Sequence, residues 1–220
     1  MTDRTKLRAV FLSAATAVVL AAVVLVCAGC GKGKDKLPPG ASESTIVCGS
    51  LYGQGTVLSA DETSTLIATA AHVLEDHTRD SREKILVSFA DGTTLFGEMI
   101  YMDQERDIAF LKTEGVRSEK VGAARMEKMY PQSAAPVHCY VQGEEHAGSF
   151  LSPDTEIRGL GSSLYYFLCD VRDGMSGCGV YDERDGYIGM LIGGDGEGRA
   201  GALPASEIEE HLRSAGVTGP

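Results

Sequence analysis

The chain has 220 residues, of which 43% are hydrophobic and 23% are charged, a composition typical of a globular protein with a real core rather than of a disordered chain. The formal net charge is −11, and beyond residue 40 the chain carries 14 Lys and Arg against 29 Asp and Glu. Because so acidic a surface repels phosphate backbones, we exclude nucleic acid as a partner.

Residues 1–30 are predicted to target the chain to a membrane. The uncharged run at 9–29 has 21 residues, enough for a helix to cross a bilayer, and basic residues precede it as in a secretory signal. Two alternatives stay open. The segment is an uncleaved single-span transmembrane anchor, or it is a lipoprotein signal, since "VCAGC" resembles a bacterial lipobox with Cys30 as the lipidated residue and with Cys27 where an aliphatic residue is usual. Either way, the membrane is a partner and the rest of the chain lies on its extracytoplasmic face.

Residues 31–44 are polar and contain Pro38, Pro39 and Gly40, which predicts a flexible spacer. From residue 45 the pattern changes to short β-branched and aromatic runs separated by turn residues, which predicts an antiparallel sandwich or barrel. The runs are "TIVCGSLY", "GTVLSA", "TLIATA", "KILVSFA", "TLFGEMIYM", "IAFLK", "PVHCYVQG", "SLYYFLC", "GCGVYD" and "YIGMLIGG".

Two helical pieces interrupt this pattern of strands. A helical turn, "AAHVLED", follows the third run, and a C-terminal helix begins at Pro204, carries Ile208 and Leu212 four residues apart, and stops at Gly216. The charged stretch 113–132 lacks strand runs and divides the strands into two sets. We therefore expect two β halves joined by a connector.

Three residues with catalytic potential stand at the edges of predicted strands. His72 follows a strand in "TAAHV", Asp107 precedes "IAFLK", and Ser176 lies between glycines in "GMSGCGV". Each residue alone has an ordinary structural explanation, as a buried histidine, a strand-end acid or a turn serine. Together they follow the chain order His, Asp, Ser, which differs from that of other folds with a Ser-His-Asp site.

Residues 46–212 resemble the chymotrypsin-like (trypsin-like) serine peptidases, nearest to bacterial trypsin-like and HtrA-type proteases. The matching motifs, in order, are "TAAHV", "DIAFLK", "GMSGCGV", "YIGMLIGG" and "ALPASEI". The resemblance implies an all-β protease domain at 45–217, built from two antiparallel six-stranded β-barrels of chymotrypsin type and a short C-terminal helix, and preceded by the membrane-targeting helix. The first barrel is expected at about 45–112, the connector at 113–132, the second barrel at 133–203 and the helix at 204–215. No PDZ domain is expected after that helix.

The resemblance also implies a serine endopeptidase that acts on protein or peptide substrates. Ser176 would be the nucleophile, His72 the base that takes its proton, and Asp107 the residue that orients the imidazole. The backbone amides of Gly174 and Ser176 would form the oxyanion hole. No cofactor and no metal are expected, and no oligomeric state is predicted. A rival hypothesis is a catalytically inactive trypsin-fold domain that binds a peptide or protein at the cell surface.

Specificity is predicted from the offset of residues around the serine. Asp170 lies six residues before Ser176, where trypsin has the acid at the base of its primary pocket, and Gly193 and Gly201 could leave that pocket open for Lys or Arg. Met175 replaces the acid that animal relatives pair with a newly cut N-terminus, so activation by that ion pair is not expected.

The four cysteines of the body are Cys48, Cys139, Cys169 and Cys178. Export makes disulfides possible, and a bridge from Cys139 or Cys169 to Cys178 would join neighbouring strands. Spacing alone does not choose between these bridges and free buried thiols.

Overall fold

The computed structural model of the protein describes residues 40–115, 121–156 and 163–217. The predicted membrane-targeting segment 1–30, the lipidation candidate Cys30 and most of the predicted spacer 31–44 lie outside the described residues. Within the described residues, no helix has the length and apolar character needed to cross a membrane.

The first barrel is closed and antiparallel, with the strand order β1-β2-β3-β6-β5-β4. A short 3₁₀ helix, Ala71–Leu74, and helix α1, Glu75–Arg79, connect β3 to β4. The strands are β1 Glu43–Cys48, β2 Leu51–Ala60, β3 Ser64–Thr69, β4 Ile85–Phe89, β5 Thr94–Asp103 and β6 Ile108–Glu114.

The second barrel repeats this arrangement, with the strand order β10-β11-β12-β9-β8-β7. Helix α2, Ala205–Ser214, follows its last strand and begins directly after Pro204, whose fixed φ suits a helix start. The strands are β7 Pro136–Val141, β8 Glu144–Glu156, β9 Ser163–Cys169, β10 Gly179–Asp182, β11 Tyr187–Gly194 and β12 Arg199–Pro204.

Among the described residues, three clusters of buried apolar side chains form the core. Alternate residues of a strand point to opposite faces, so each strand contributes every second residue to a cluster. One fills the first barrel and includes Ile46, Ile67 and Leu111. Another fills the second barrel and includes Phe150, Phe167 and Leu191. The third lies between the barrels and under α2, and it includes Leu58, Phe110, Tyr187, Met190, Ile208 and Leu212.

The connector contacts both barrels. Ala124 N donates to Val57 O of the first barrel at 2.7 Å, and Glu127 N donates to Tyr187 O of the second barrel at 2.8 Å. Ala124 is also buried in the cluster between the barrels. These contacts give a segment without strand runs a fixed place between the two halves.

The predicted all-β architecture of two six-stranded barrels and a C-terminal helix is confirmed. Two details differ from the sequence-based expectation. The run "TIVCGSLY" is not one strand but the end of β1 and the start of β2, separated by a turn at Gly49, where φ is +60°. Strands β8 and β12 were missed, because the small and polar residues and Pro153 of the 13-residue β8 give no apolar run and the Ala and Gly residues of β12 give no β-branched or aromatic run.

Candidate active site

His72 is delivered to the surface by the turn that follows β3. Ala70 has extended backbone, and the 3₁₀ helix begins at Ala71. Val73 and Leu74 are buried in the first barrel and fix the turn. The side chain of His72, which comes just before them in the chain, remains 43% exposed. The imidazole can therefore meet a ligand from solvent.

Asp107 lies in the turn between β5 and β6, and its carboxylate makes two hydrogen bonds with His72. Its Oδ1 accepts from His72 N at 2.9 Å, and its Oδ2 lies 2.7 Å from His72 Nδ1. Its carbonyl accepts from Ala71 N at 3.2 Å. The backbone of Asp107 has φ +53°, a left-handed conformation that aspartate adopts more readily than most residues. A carboxylate can only accept, so Nδ1 carries the proton and Nε2 is left as the basic nitrogen.

The hydrogen bond that His72 donates to Asp107 raises the pKa of His72, and partial burial of the ring opposes this shift. The contact stabilises the imidazolium that would form when the ring takes a proton. His72 therefore has the setting of a general base.

Ser176 lies in the loop between β9 and β10, here called the serine loop, residues 170–178. The backbone is left-handed at Gly174, with φ +85°, and at Gly177, with φ +93°. A Cβ on Gly174 would lie 2.1 Å from Tyr52 Cε2, and one on Gly177 would lie 2.1 Å from Gln54 O. Both positions therefore require glycine, for their conformation and for the close approach of β2.

Buried residues of the first barrel form hydrogen bonds with the serine loop. Gln54 N donates to Ser176 O at 2.8 Å, and Gln54 Nε2 donates to Gly174 O at 2.9 Å. Gly179 N, at the end of the loop, donates to Glu43 Oε2 at 3.1 Å. The side chains of Gln54 and Glu43 are buried, so these contacts fix the loop from behind.

The amides of Gly174 and Ser176 have no hydrogen-bond partner in the part of the chain that the structure describes. The backbone amide of the residue after each of them is hydrogen-bonded: Met175 N donates to Arg172 O, and Gly177 N donates to Leu191 O. Two free amides next to a serine hydroxyl are what an oxyanion hole requires.

The turn that carries His72 and the serine loop both lie against Gly53 of β2. A Cβ on Gly53 of β2 would lie 2.5 Å from Val73 Cγ2 and 2.8 Å from Ser176 O. No hydrogen bond joins His72 and Ser176 within the described ranges, because Ser176 Oγ donates to Ile192 O at 3.0 Å. The structure thus joins His72 directly to Asp107 and sets the serine loop beside them.

Residues 53–190 match the trypsin-like peptidase domain family. The chain belongs to that family. This match confirms the predicted resemblance to chymotrypsin-like serine peptidases, and the matched range contains His72, Asp107 and Ser176.

Solved structures share the fold of this trypsin-like domain. The inactive form of the Rv3671c protease is 20% identical, with 80% of this chain and 90% of that chain covered and a TM-score of 0.63. The active form of the Rv3671c protease from M. tuberculosis is also 20% identical, with coverages of 82% and 83% and a TM-score of 0.64. Deg5 is 19% identical, with coverages of 82% and 92% and a TM-score of 0.65. No curated protein matches the sequence.

An apolar hollow of about 240 Å³ adjoins Ser176 through Ile192. Gly193 and Gly201 line it, together with Leu164 and Tyr166. A Cβ on Gly193 would meet nothing within 4 Å, so the hollow is open at this point.

Asp170 does not line this hollow. Its side chain is 79% exposed and pairs with Arg172 at 3.1 Å. The side chain that turns inward is that of Val171, because a Cβ on Gly194 would lie only 2.1 Å from Val171 Cγ2. The structure therefore gives no support to a buried acid that selects Lys or Arg, and the offset from Ser176 was a poor guide to its position.

Glu43 is the least expected residue of the site. Its carboxylate accepts from Gly179 N, from the Tyr181 hydroxyl and, at 3.4 Å, from Thr56 Oγ1. Burial raises the pKa of Glu43 from 4.5 to about 8, and the three hydrogen bonds only partly oppose that shift. Sequence reasoning missed this role, because Glu43 falls in the predicted spacer 31–44, whereas in the structure it is buried and begins β1.

All four cysteines of the described residues are free and buried. The thiol of Cys139 contacts those of Cys169 and Cys178 in the second barrel, whereas Cys48 lies in the first barrel. The contact with Cys139 and burial both raise the pKa of Cys169, and burial raises the pKa of Cys48. In the described part of the chain, no group of three or more His, Cys, Asp or Glu could hold a metal ion.

Proposed function

We propose that the protein is a serine endopeptidase that cleaves protein or peptide substrates through Ser176, His72 and Asp107. The observation that carries the proposal is the Asp107–His72 pair beside Ser176, whose own backbone amide and that of Gly174 have no hydrogen-bond partner among the described residues. Membership of the trypsin-like peptidase family supports a serine protease, and this geometry supports an active one.

The reaction begins when Ser176 Oγ exchanges its hydrogen bond with Ile192 O for one with His72 Nε2, a contact that in many free enzymes forms fully only with substrate bound. Oγ then attacks the carbonyl carbon as its proton moves to Nε2. The carbonyl oxygen takes the negative charge, which the amides of Gly174 and Ser176 stabilise by about 3–4 kcal/mol per donor.

The imidazolium next returns its proton to the leaving amine, and the C–N bond breaks to leave an acyl ester on Ser176. Water, deprotonated by His72, hydrolyses this ester and restores the serine. Asp107 keeps the same tautomer of His72 through both halves of the cycle.

A fluorophosphonate probe tests this proposal, because it reacts with an activated serine and not with an ordinary turn serine. We expect labelling at Ser176 that is lost in Ser176→Ala and His72→Ala and retained in Ser88→Ala, a serine on the outer face of the first barrel. Labelling should fall as pH drops through the pKa of His72. A folded protein that stays unlabelled, or that labels equally without His72, contradicts the proposal.

The alternative is a catalytically inactive domain that binds a peptide or protein in the same cleft. The observation in its favour is the hydrogen bond of Ser176 Oγ to Ile192 O, which occupies the hydroxyl. Under this alternative, Ser176→Ala leaves every activity of the protein unchanged.

We further propose that the domain is held on the extracytoplasmic face of a membrane by residues 1–30. The support is the uncharged run at 9–29 and the resemblance of "VCAGC" to a lipobox. Metabolic labelling with a fatty acid separates the two forms of anchor. If the protein is a lipoprotein, Cys30→Ser abolishes labelling and Cys27→Ser retains it. If the segment is a single transmembrane span, no variant is labelled. Recovery of the full-length chain in the soluble fraction contradicts both.

A further inference from the structure

Four exposed apolar side chains lie next to one another on the outer face of the first barrel. Tyr52, Val47, Leu86 and Phe96 occupy directly paired positions on β2, β1, β4 and β5, and each is between 36% and 60% exposed. Directly paired residues of antiparallel strands share a face, with Cβ atoms about 4.5–5.5 Å apart. These four residues therefore form a continuous surface feature, here called the apolar row.

The apolar row is bounded by polar residues. The next row of paired positions on the same face is polar throughout, and its members are Gln54, Thr45, Ser88 and Thr94. Beyond Phe96 in the other direction along β5, the next residue on this face is Glu98. The barrel interior is already filled by other residues of these strands, such as Ile46 and Val87. Folding of the barrel therefore does not require the apolar row.

One end of the apolar row reaches the candidate active site. The Tyr52 ring lies so close to Gly174 that a Cβ there would meet Tyr52 Cε2 at 2.1 Å, and Gly174 offers one of the two free amides. The apolar hollow beside Ile192 belongs to the second barrel, whereas Tyr52 belongs to the first. A polypeptide that crosses Ser176 from the hollow would therefore pass onto the apolar row.

We propose that the apolar row is a docking surface for the part of a polypeptide substrate that follows the cleaved bond. This inference rests on the proposed function and adds a substrate class, namely extended polypeptides with apolar side chains after the cleavage site. The four strands span about 14 Å at 4.7–4.9 Å per strand, the length of about four extended residues. At the far end, Lys84 Nζ lies 4.7 Å from the centre of the Phe96 ring, which favours an acidic residue there.

The kinetic test compares two synthetic peptides that contain the same cleavage site, mapped in denatured casein. One ends two residues after the cleaved bond, and the other continues for eight residues of alternating Leu and Ser and ends in Glu. For the full-length protein in detergent we expect kcat/KM to be about tenfold higher for the long peptide, mainly through KM. That ratio of long to short should fall to about one in Phe96→Ser and Leu86→Ser.

The matched control is Ile100→Ser. Ile100 is an apolar residue of the same strand and 38% exposed, but it lies four residues beyond Phe96, about 13 Å along β5. This variant should keep the tenfold ratio. The proposal is overturned if the long peptide has no advantage, or if Phe96→Ser and Leu86→Ser keep it.

A binding measurement separates this inference from the proposed function. The fluorescein-labelled eight-residue extension is titrated with Ser176→Ala protein in the same detergent, with and without Phe96→Ser. Loss of binding with Phe96→Ser supports the docking surface even if no peptide is cleaved, whereas equal binding overturns it. If sedimentation shows that Phe96→Ser turns a dimer into a monomer while peptide binding is unchanged, the apolar row joins two copies of the chain and the proposal fails.

Discussion

Replacement of Glu43 by Gln tests the buried contacts behind Ser176, because it removes one ionisable group and keeps the shape of the side chain. In the unfolded chain the carboxyl loses its proton near pH 4.5, and in the folded protein burial raises its pKa to about 8. Between these values the folded state holds one proton more than the unfolded state. The free energy of unfolding must therefore decrease as pH rises through this window, and it levels off above pH 8.

The expected slope is about 1.4 kcal/mol for each pH unit, since one pKa unit corresponds to that free energy. Over the whole window the loss reaches about 5 kcal/mol, comparable with the total stability of many small domains. Glu43→Gln should lack this contribution, while His72 titrates equally in both proteins and so cancels from the comparison. The variant should therefore gain stability over the wild type as pH rises from 5 to 8.

The assay is urea unfolding of both proteins at half-unit steps from pH 5 to pH 9. Ser44→Ala serves as the control, since Ser44 is the buried neighbour of Glu43 and, among the described residues, its hydroxyl donates to Gly55 O of the adjacent strand, at 2.9 Å, and not to Glu43. Ser44→Ala should keep the wild-type slope. If the curves of wild type and Glu43→Gln run parallel from pH 5 to pH 8, Glu43 is not a buried acid with a raised pKa and the reasoning fails.

Three further outcomes are expected. Asp107→Asn should lower kcat by about 10⁴. In the wild type, the acid limb of the kcat/KM profile should have its midpoint above pH 6.5, because the hydrogen bond to Asp107 raises the pKa of His72. If Asp107→Asn leaves this midpoint unchanged, the reasoning fails. Gly174→Ala should abolish probe labelling and lower the unfolding free energy by about 1–3 kcal/mol, and wild-type labelling would argue against the contact with Tyr52. A thiol reagent at pH 7.5 should leave Cys48, Cys139, Cys169 and Cys178 unmodified in the folded protein and react with all four after denaturation, as mapped by mass spectrometry. Rapid modification of any of these four in the folded protein contradicts their burial.

The sequence predicts those parts of the fold and site that depend on short contiguous stretches of residues. The strands with apolar or alternating runs were found, and the stretches around His72, Asp107 and Ser176 stand out in the sequence because each lies close to such a run. Strand β8 was missed because pairing with β7 and β9, rather than its own residue preference, holds it in the sheet.

Contacts between residues distant in the chain could not be predicted in the same way. Gly179 and Glu43 are separated by 136 positions, and no local pattern relates them. Asp170 shows the converse failure, since an offset taken from relatives fixes a position in the sequence but not the direction of a side chain. The side chain of Val171 points inward instead, because the loop backbone turns there and Val171 N donates to Cys169 O at 3.0 Å.

Strand β2 explains how two barrels can align one site. Gly53 contacts the turn that carries His72 and also the carbonyl of Ser176, and the next residue, Gln54, holds the serine loop at two carbonyl groups. Tyr52, one residue earlier, covers Gly174 and begins the apolar row. Three consecutive residues thus contact the turn that carries His72, the serine loop and the start of the proposed docking surface. Because adjacent residues of a strand keep fixed relative positions, β2 couples the turn of His72 to the serine loop, and the contact between Glu43 of β1 and Gly179 adds to this coupling.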